Sequence, residues 1–536
     1  MNIESNDLHF CPGESPMEYA DRLGVFYTSQ VSDEHKKKLG QFFTPVGISK
    51  FMSEFAVVKK DKIKILDPGC GIGILSVAIS EVIAKKNNFV TTIDLVAFES
   101  DVEILPFAEK CYDYLRLWLQ NKGINFTYFL CKNDFILHNS HILNDKKINN
   151  ESYDIIISNP PYFKLPKKDE RAKVAKAVIY GQPNIYSIFL IISVNLLNST
   201  GQLIFITPRS FCSGSYFRSF REIFFSFIKI QRIHLFDSRK DAFKRDKVLQ
   251  ENIIVNAFLK KNIKKEQIEM PIDIDHEVTI SISSGLEDIN CCSEKKYLWK
   301  DLIDINSFQK ILHLPSTNRD ESVIKLFKTW KGSLGLYDLN ISTGRVVSFR
   351  SENFITEKNS KNTVPLIWMH NVDSMKFKWP LDKVYKGKIK NQYIINNEKS
   401  KSILIQNKNY VLLRRFSSKD DKKRLIATPY FHKHILNKEF IGVENHLNYI
   451  YHKNRNLDEI EIVGISAILN SKLFDTYFRT FNGNINVSAT ELRDFPLPDY
   501  ELIKLLGKTI IENNRNNIKY EIDSLLLKIF NLSIEL

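Results

Sequence analysis

Between residues 60 and 260 short apolar bursts alternate with stretches whose apolar residues recur every three or four positions. "IKILDPG" is a run of branched residues stopped by Asp-Pro-Gly, and "GILSVAISEVIAKK" then places Leu75, Ala78, Ile79 and Val82 on one helical face. "LVAFES" predicts the next strand and "VEILPFAEKCYDYLRLWLQNKG" the next helix, closed by Gly123. "INFTYFLCKNDF", "YDIIISNPPY", "GQLIFITP", "IQRIHLF" and "ENIIVNAFLKK" predict five more strands, with "NIYSIFLIISVNLLNSTG" a helix stopped by glycine. Strand–helix alternation means an α/β domain with a mainly parallel sheet covered on both faces. The last two strands are joined only by "DSRKDAFKRDKVLQ", too short for a comfortable helical crossover, so the seventh strand is expected to run antiparallel.

Outside that region the pattern changes. Residues 17–30 carry Tyr19, Leu23, Phe26 and Tyr27 at helical spacing. "MPIDIDHEVTISISSG" alternates like an edge strand, and "HLPSTNRDES" reads as a linker. The expected organisation is an N-terminal helical segment over 1–45, an α/β domain over 46–265, a connecting region over 266–325 and a second, α+β domain over 326–536. That last region is rich in Lys, Arg, Asn and aromatic residues.

Composition adds a partner class. A length of 536 residues exceeds one ordinary domain, and 43% hydrophobic with 26% charged residues fits a globular chain. The net charge of +14 suits either a solvated surface or a polyanion partner, since phosphate backbones bind basic surfaces through counterion release. The seven cysteines include no C-x-x-C pair, which reads as reduced, buried thiols and no metal site. His432 and His434, two apart, would share one face of a strand but have no third ligand nearby. No signal pattern or membrane-length apolar run is present, so a cytoplasmic protein without a membrane partner is expected.

Chemistry sits at the strand ends. In "KILDPGCGIG", Gly69, Gly71 and Gly73 form G-x-G-x-G between a strand and a helix, where glycine lets the backbone approach a ligand. Position 74 is Ile, not the third glycine of a dinucleotide fingerprint, and Asp67 would repel a pyrophosphate. Asp67 suits a cationic ligand such as S-adenosylmethionine. Glu99 ends the next strand, where a carboxylate can take both ribose hydroxyls, and Asp134 with Phe135 ends the third, where an adenine amino group and ring would lie.

The fourth strand ends in Asn159, Pro160, Pro161 and Tyr162. Asn159 offers a side-chain carbonyl and Pro160 a backbone carbonyl, so together they can accept both hydrogens of one –NH2. Drawing those hydrogens out of the ring plane frees the nitrogen lone pair, and orientation then does much of the catalysis. Pro161 stiffens the turn, and Tyr162 can stack on a base for ~1–3 kcal/mol.

Taken in order, "GQFFTP" (40–45), "LDPGCGIG" (66–73), "FES" (98–100), "KNDF" (132–135) and "SNPPYF" (158–163) resemble the gamma-class adenine-N6 DNA methyltransferases of restriction–modification systems. The resemblance continues through "GQLIFITPRSF" and "FDSRKDAFKRDKVLQENII". It implies a Rossmann-like class I S-adenosylmethionine methyltransferase sheet of seven strands, the last antiparallel, followed by a target recognition domain. Thr44 and Pro45 would hold the methionine end of the cofactor, beside Asp67 and the glycines; Glu99 would bind the ribose, and Asp134 and Phe135 the adenine. Asn159, Pro160 and Tyr162 would hold a flipped target adenine, with Phe243 on its other face. Many relatives carry alanine at the position of Gly69, where glycine should merely loosen the loop. "STGRVVSFR", "VLLRRFSSKDDKKRL" and "ILNSKLFDTYFR…GNINVSATELRDFPLP" resemble segments of target recognition domains, making Arg345, Arg350, Arg414, Arg415 and Lys419 candidates for contacts to double-stranded DNA.

The tetrapeptide also occurs in methyltransferases of RNA bases and of release-factor glutamine, but those usually lack the "FFTP" segment and a large basic second half. A binding-only subunit would not need the intact site. About forty residues precede "GQFFTP", too few for a nuclease core, so any restriction endonuclease partner is expected on a separate chain. A monomer is expected.

Overall fold

The structure is a computed structural model that describes residues 8–32, 34–36, 40, 41, 43–144, 152–179, 183–237, 251–260, 274–305, 307–381, 384, 385, 388–417 and 421–536. Two compact units emerge, Met1–Cys212 with Tyr216–Asn306, and Ser213–Ser215 with Ser307–Leu536.

In the first unit nine strands form one sheet: β1 (Lys62–Asp67), β2 (Thr92–Phe98), β3 (Asn125–Cys131), β4 (Tyr153–Ser158), β5 (Leu197–Pro208), β6 (Ile228–Phe236), β7 (Asn252–Leu259), β8 (Glu277–Ser283) and β9 (Ser293–Leu298). Their order is β3-β2-β1-β4-β5-β7-β6-β8-β9. β7 runs antiparallel to both β5 and β6, the reversal that the short connection predicts. The order changes direction between β1 and β4, which pair in parallel, and their carboxyl ends flank the crevice where such sheets bind ligands.

The sheet is wider than the seven strands expected. Residues placed in the connecting region supply β8, parallel to β6, and β9, antiparallel to β8. β9 is "SEKKYL", exposed along most of its length, and its charges suit an edge strand that must not recruit another chain. The helix expected to run up to Gly201 stops at Leu196, because Leu197 is already extended and pairs with Tyr153 of β4.

Helices α1 (Pro16–Gln30), α2 (Val46–Ser53), α3 (Ile74–Lys86), α4 (Leu105–Gln120), α5 (Ile185–Leu196) and α6 (Arg218–Phe227) accompany the sheet. α1 starts at a capping box in which Ser15 and Glu18 satisfy each other's backbone N–H groups, and it buries Tyr19, Leu23 and Tyr27. α3 and α5 bury nearly every side chain. One apolar cluster joins α1, α3 and α4 to Ile63, Ile65, Ile93 and Ile155 of the sheet.

The second unit holds a four-stranded sheet ordered 339–343, 447–452, 410–414, 427–430 and a five-stranded one ordered 355–356, 393–395, 363–367, 440–443, 404–406. One apolar cluster packs helical residues with Ile341, Val411, Leu413 and Ile450 of the four-stranded sheet, and in it Phe327 stacks on Tyr477 at 3.8 Å between ring centres. His432 and His434 lie in a one-turn 3-10 helix, not a strand, because His434 Nδ1 accepts the Phe431 N–H and turns the chain. Of the seven cysteines, Cys70, Cys111, Cys131 and Cys212 are buried as expected, whereas Cys11 and Cys291 are exposed. No described helix is long and apolar enough to cross a membrane.

Candidate active site

A cavity of about 260 Å³ opens at the carboxyl ends of β1, β2, β3 and β4. Its wall takes Gly69 and Gly71 after β1, Glu99 after β2, Asp134 and Phe135 after β3, Asn159 and Pro161 after β4, and Thr44 from the preceding segment. Five separate sequence motifs therefore face one space.

The glycine loop is shaped by backbone need. Gly69 has φ +147°, and a Cβ there would lie 3.3 Å from the Phe189 ring. Glycine at this position avoids the strain that a side chain would carry at this φ. Gly71 donates its N–H to Glu99 Oε2 at 2.9 Å, and Asp101 donates its N–H to Glu99 Oε1 at 2.8 Å. Burial nonetheless pushes the Glu99 carboxyl up.

Asp67 is placed differently from the expectation. It is fully buried and is not part of the cavity wall. Ser76 of α3 donates to its Oδ2 at 2.6 Å, while Oδ1 is buried and has no partner among the described residues. Burial, chiefly, and then the nearby Glu99 raise this carboxyl to about 7.

Asp134 Oδ1 caps the one-turn helix 135–138 by accepting the Ile136 and Leu137 N–H groups, both at 2.9 Å, and Oδ2 lies 3.5 Å from Arg171 Nη1. Phe135 packs edge-on against Phe98 and obliquely against Phe189, so three aromatic rings close this end of the cavity.

At β4 the Asn159 amide is fixed from both sides. Nδ2 donates to Thr44 Oγ1 at 2.9 Å, which leaves Oδ1 as an acceptor. The Tyr162 hydroxyl reaches that Oδ1 and also the Ile206 carbonyl at 2.9 Å. Tyr162 is 7% exposed and Pro160 is buried, and neither lines the cavity. In this structure the ring sits inside the fold, where its one hydroxyl hydrogen has two acceptors within reach. Gly40 packs where a Cβ would meet the Phe163 ring at 2.7 Å, bringing "GQFFTP" against "SNPPYF". Pro45 faces a neighbouring cavity beside α1 and not the main one. Phe243 lies outside the described residues.

Similarity to known proteins fits this geometry. Residues 90–243 match the Eco57I restriction-modification methylase family. The chain is 33% identical over 501 residues to the type II methyltransferase M.BsuBI of Bacillus subtilis, covering 92% of this chain and 94% of that one. The chain belongs to the type II methyltransferases of restriction–modification systems. M.PstI of Providencia stuartii is a second such relative, 30% identical over 91% of this chain and 93% of its own. The same fold recurs in the type ISP restriction-modification enzyme LlaGI, solved as a nuclease-deletion mutant with a DNA substrate mimic. That match has TM-score 0.50 and 12% identity, and covers 92% of this chain and 48% of that one.

In this methyltransferase the cavity wall also uses Gln41 and Phe43 of "GQFFTP", and Arg171, Ile185 and Phe189, which lie outside the motifs. In the second unit, Thr343 pairs with Asn448 and Arg414 with Leu447, which puts Arg345, Arg414 and Arg415 at one end of the four-stranded sheet. Arg345 and Arg350 are exposed. Arg414 is half-buried and donates from Nε to the Val372 carbonyl at 2.7 Å, and Arg415 donates to the Asn445 carbonyl at 3.0 Å. Lys419 lies outside the described residues.

Proposed function

We propose that the protein is a site-specific DNA adenine-N6 methyltransferase that uses S-adenosylmethionine and flips its target adenine out of the duplex. The observation that carries this reading is the Asn159 amide, oriented by Thr44 on the wall of the cavity that also holds Glu99 and Asp134.

The residues fit the cofactor. Among the described residues two carboxylates, Glu99 and Asp134, and one cation, Arg171, whose guanidinium lies 3.5 Å from Asp134, line the cavity; Asp67 Oδ1 lies beneath the loop as a buried acceptor with no partner among the described residues, and aromatic rings close the far end. That set suits a cation with ribose hydroxyls and an adenine ring better than a pyrophosphate. Glu99 would hold the ribose, Asp134 and Phe135 the adenine, and Thr44 with the loop of Gly69, Gly71 and Gly73 the methionine end, with Asp67 acting from beneath that loop and Pro45 only as the chain neighbour of Thr44. When bound, S-adenosylmethionine supplies an electrophilic methyl group.

Asn159 Oδ1 and the Pro160 carbonyl accept the two hydrogens of the target amine, which pyramidalises its nitrogen and exposes the lone pair. Thr44 keeps the amide from turning its NH2 towards that nitrogen. For this grip to form, the Tyr162 hydroxyl gives up Asn159 Oδ1 and stays on the Ile206 carbonyl, and the ring covers one face of the base. Phe243 covers the other. Flipping costs a few kcal/mol, offset by stacking and by the two hydrogen bonds. The region 326–536 acts as the target recognition domain, with Arg345, Arg350, Arg414, Arg415 and Lys419 on phosphates or guanine edges. The chain acts as the modification enzyme of a restriction–modification system, as a monomer, with any endonuclease on a separate chain.

Labelled methyl transfer to duplex DNA, RNA and protein in parallel tests the reading. Label should enter duplex DNA alone, and Asn159→Ala should abolish transfer while cofactor binding persists; an Asn159→Ala rate near wild type contradicts it.

A further inference from the structure

The ring of Tyr162 meets Tyr186 of α5 edge-on at 6.3 Å between centres, and Tyr186 stacks on Phe217 at 5.4 Å. Tyr186 is fully buried, its hydroxyl sharing a hydrogen bond with Ser210 Oγ at 2.7 Å, and Phe217 is 9% exposed. The neighbouring ring reverses the pattern. Tyr216 is 58% exposed in the 3-10 turn Ser215–Phe217, so the buried Phe217 anchors the backbone from which Tyr216 projects.

Lys164 Nζ stands 5.1 Å from the centre of the Tyr216 ring. Lys164 directly follows "SNPPYF", and its backbone bridges Asn184 at the start of α5. The tip of β4 and the Tyr216 turn are therefore tied together twice, through the ring contacts and through the lysine. A cation–π contact at an exposed site is weak, so both groups can exchange it for a stronger partner. Lys167 and Lys168 are exposed beside Lys164, whereas the acidic residues that follow, Asp169 and Glu170, pair with Arg171 and Lys173. The segment after the Asn159 turn thus offers positive charge next to an exposed aromatic ring, the combination that suits a nucleic acid.

A base turned out of a duplex leaves a gap in which the neighbouring pairs lose their stacking. A flat side chain that enters the gap restores it. We infer that Tyr216 enters the duplex where the target base has left and stacks on the neighbouring pairs, while Lys164 moves from the Tyr216 ring to a flanking phosphate. This rests on the base-flipping reading above.

The target sequence is taken from modification-sensitive sequencing of DNA methylated by the wild-type chain. If 2-aminopurine at the target position stays dark with the wild-type chain, the flipping reading falls and this inference with it. With flipping in hand, fluorescence anisotropy compares three duplexes: the target site, the same site with an abasic nucleotide at the target position, and a duplex without the site. Tyr216→Ala should lose roughly 5- to 150-fold in affinity for the first two, in which a gap must be filled, and far less for the third. Tyr216→Phe, which keeps the ring, should recover most of the loss. No loss on the target duplex, a loss shared by Tyr216→Phe, or an equal loss on the duplex without the site each overturns the inference. A loss that vanishes on the abasic duplex also overturns it, because the ring then lies on the flipped base and not in the gap. Lys164→Ala should lessen the salt dependence of binding to the target duplex by about 0.9 in log–log slope; an unchanged slope removes the lysine from the phosphate.

Discussion

Asn159 Nδ2 donates to Thr44 Oγ1 at 2.9 Å across 115 residues of chain. The bond joins the segment ahead of the glycine loop to the tip of β4, and it decides which end of the amide faces the reacting nitrogen. Thr44→Val keeps the shape and removes the acceptor. Leaving the amide NH2 without this partner costs ~1–3 kcal/mol, so the single-turnover methylation rate should fall by roughly 5- to 150-fold with a smaller change in cofactor affinity. Rapid-quench kinetics beside equilibrium cofactor binding checks both halves; an unchanged rate would remove the amide orientation from the mechanism.

Tyr162 presents two separable groups. Its hydroxyl holds Asn159 Oδ1 and the Ile206 carbonyl in the absence of substrate, whereas the ring is the part assigned to the base. Tyr162→Phe should keep methylation within a few-fold and lower stability by ~1 kcal/mol, the worth of one hydrogen bond. Tyr162→Ala should lose the stacking term as well, roughly 5- to 150-fold in the affinity for duplex carrying the target. Equal defects in the two variants would assign the role to the hydroxyl.

Asp67 gives the fold a dependence on pH. An unfolded aspartate titrates near 4, whereas burial raises this one to about 7 in the folded chain. Between those values the folded state keeps a proton that the unfolded state has lost. Stability therefore falls as pH rises from about 4 to about 7, by an amount on the order of a few kcal/mol, and the loss is complete above that range. Without ligand, Asp67→Asn should flatten this part of the pH dependence and melt higher than wild type at pH 8, since asparagine still accepts the Ser76 hydroxyl. Calorimetric melting of both proteins at pH 6 and pH 8 is the check, and parallel wild-type and variant profiles would refute the assignment.

The arginines of the second unit divide by burial. Arg350 is exposed over the Phe349 ring, so Arg350→Ala should lessen the salt dependence of DNA binding by about 0.9 in log–log slope, one phosphate contact, without affecting melting. Arg414 serves the Val372 carbonyl, so Arg414→Ala should lower stability by ~1 kcal/mol before any effect on DNA. Fluorescence anisotropy across a salt series, with melting curves alongside, separates the two.

What the sequence made legible was the set of strand ends. Glycines, prolines and carboxylates stop a strand and carry chemistry at once, so Gly69, Gly71, Glu99, Asp134 and Asn159 could each be singled out, and all five face one cavity. Phe189 could not, because α5 is buried on nearly every side and its cavity-facing residues have no distinct signature. Arg171 sits in a polar stretch that reads as a solvated loop, yet it approaches Asp134. The burial of Tyr162 is not legible in the sequence because it depends on a carbonyl of β5, 44 residues away. β8 alternates visibly but its place beside β6 is a long-range choice, and β9 is too charged to resemble a strand.

The central claim is that the amine held by Asn159 and Pro160 belongs to adenine in DNA. Digesting duplex DNA to nucleosides after incubation with the purified chain and S-adenosylmethionine, followed by mass spectrometry, tests it directly. N6-methyladenine should accumulate with the wild-type chain and be absent with Asn159→Ala. N4-methylcytosine in its place, or no methylated nucleoside from DNA while RNA or protein takes the label, would contradict the account.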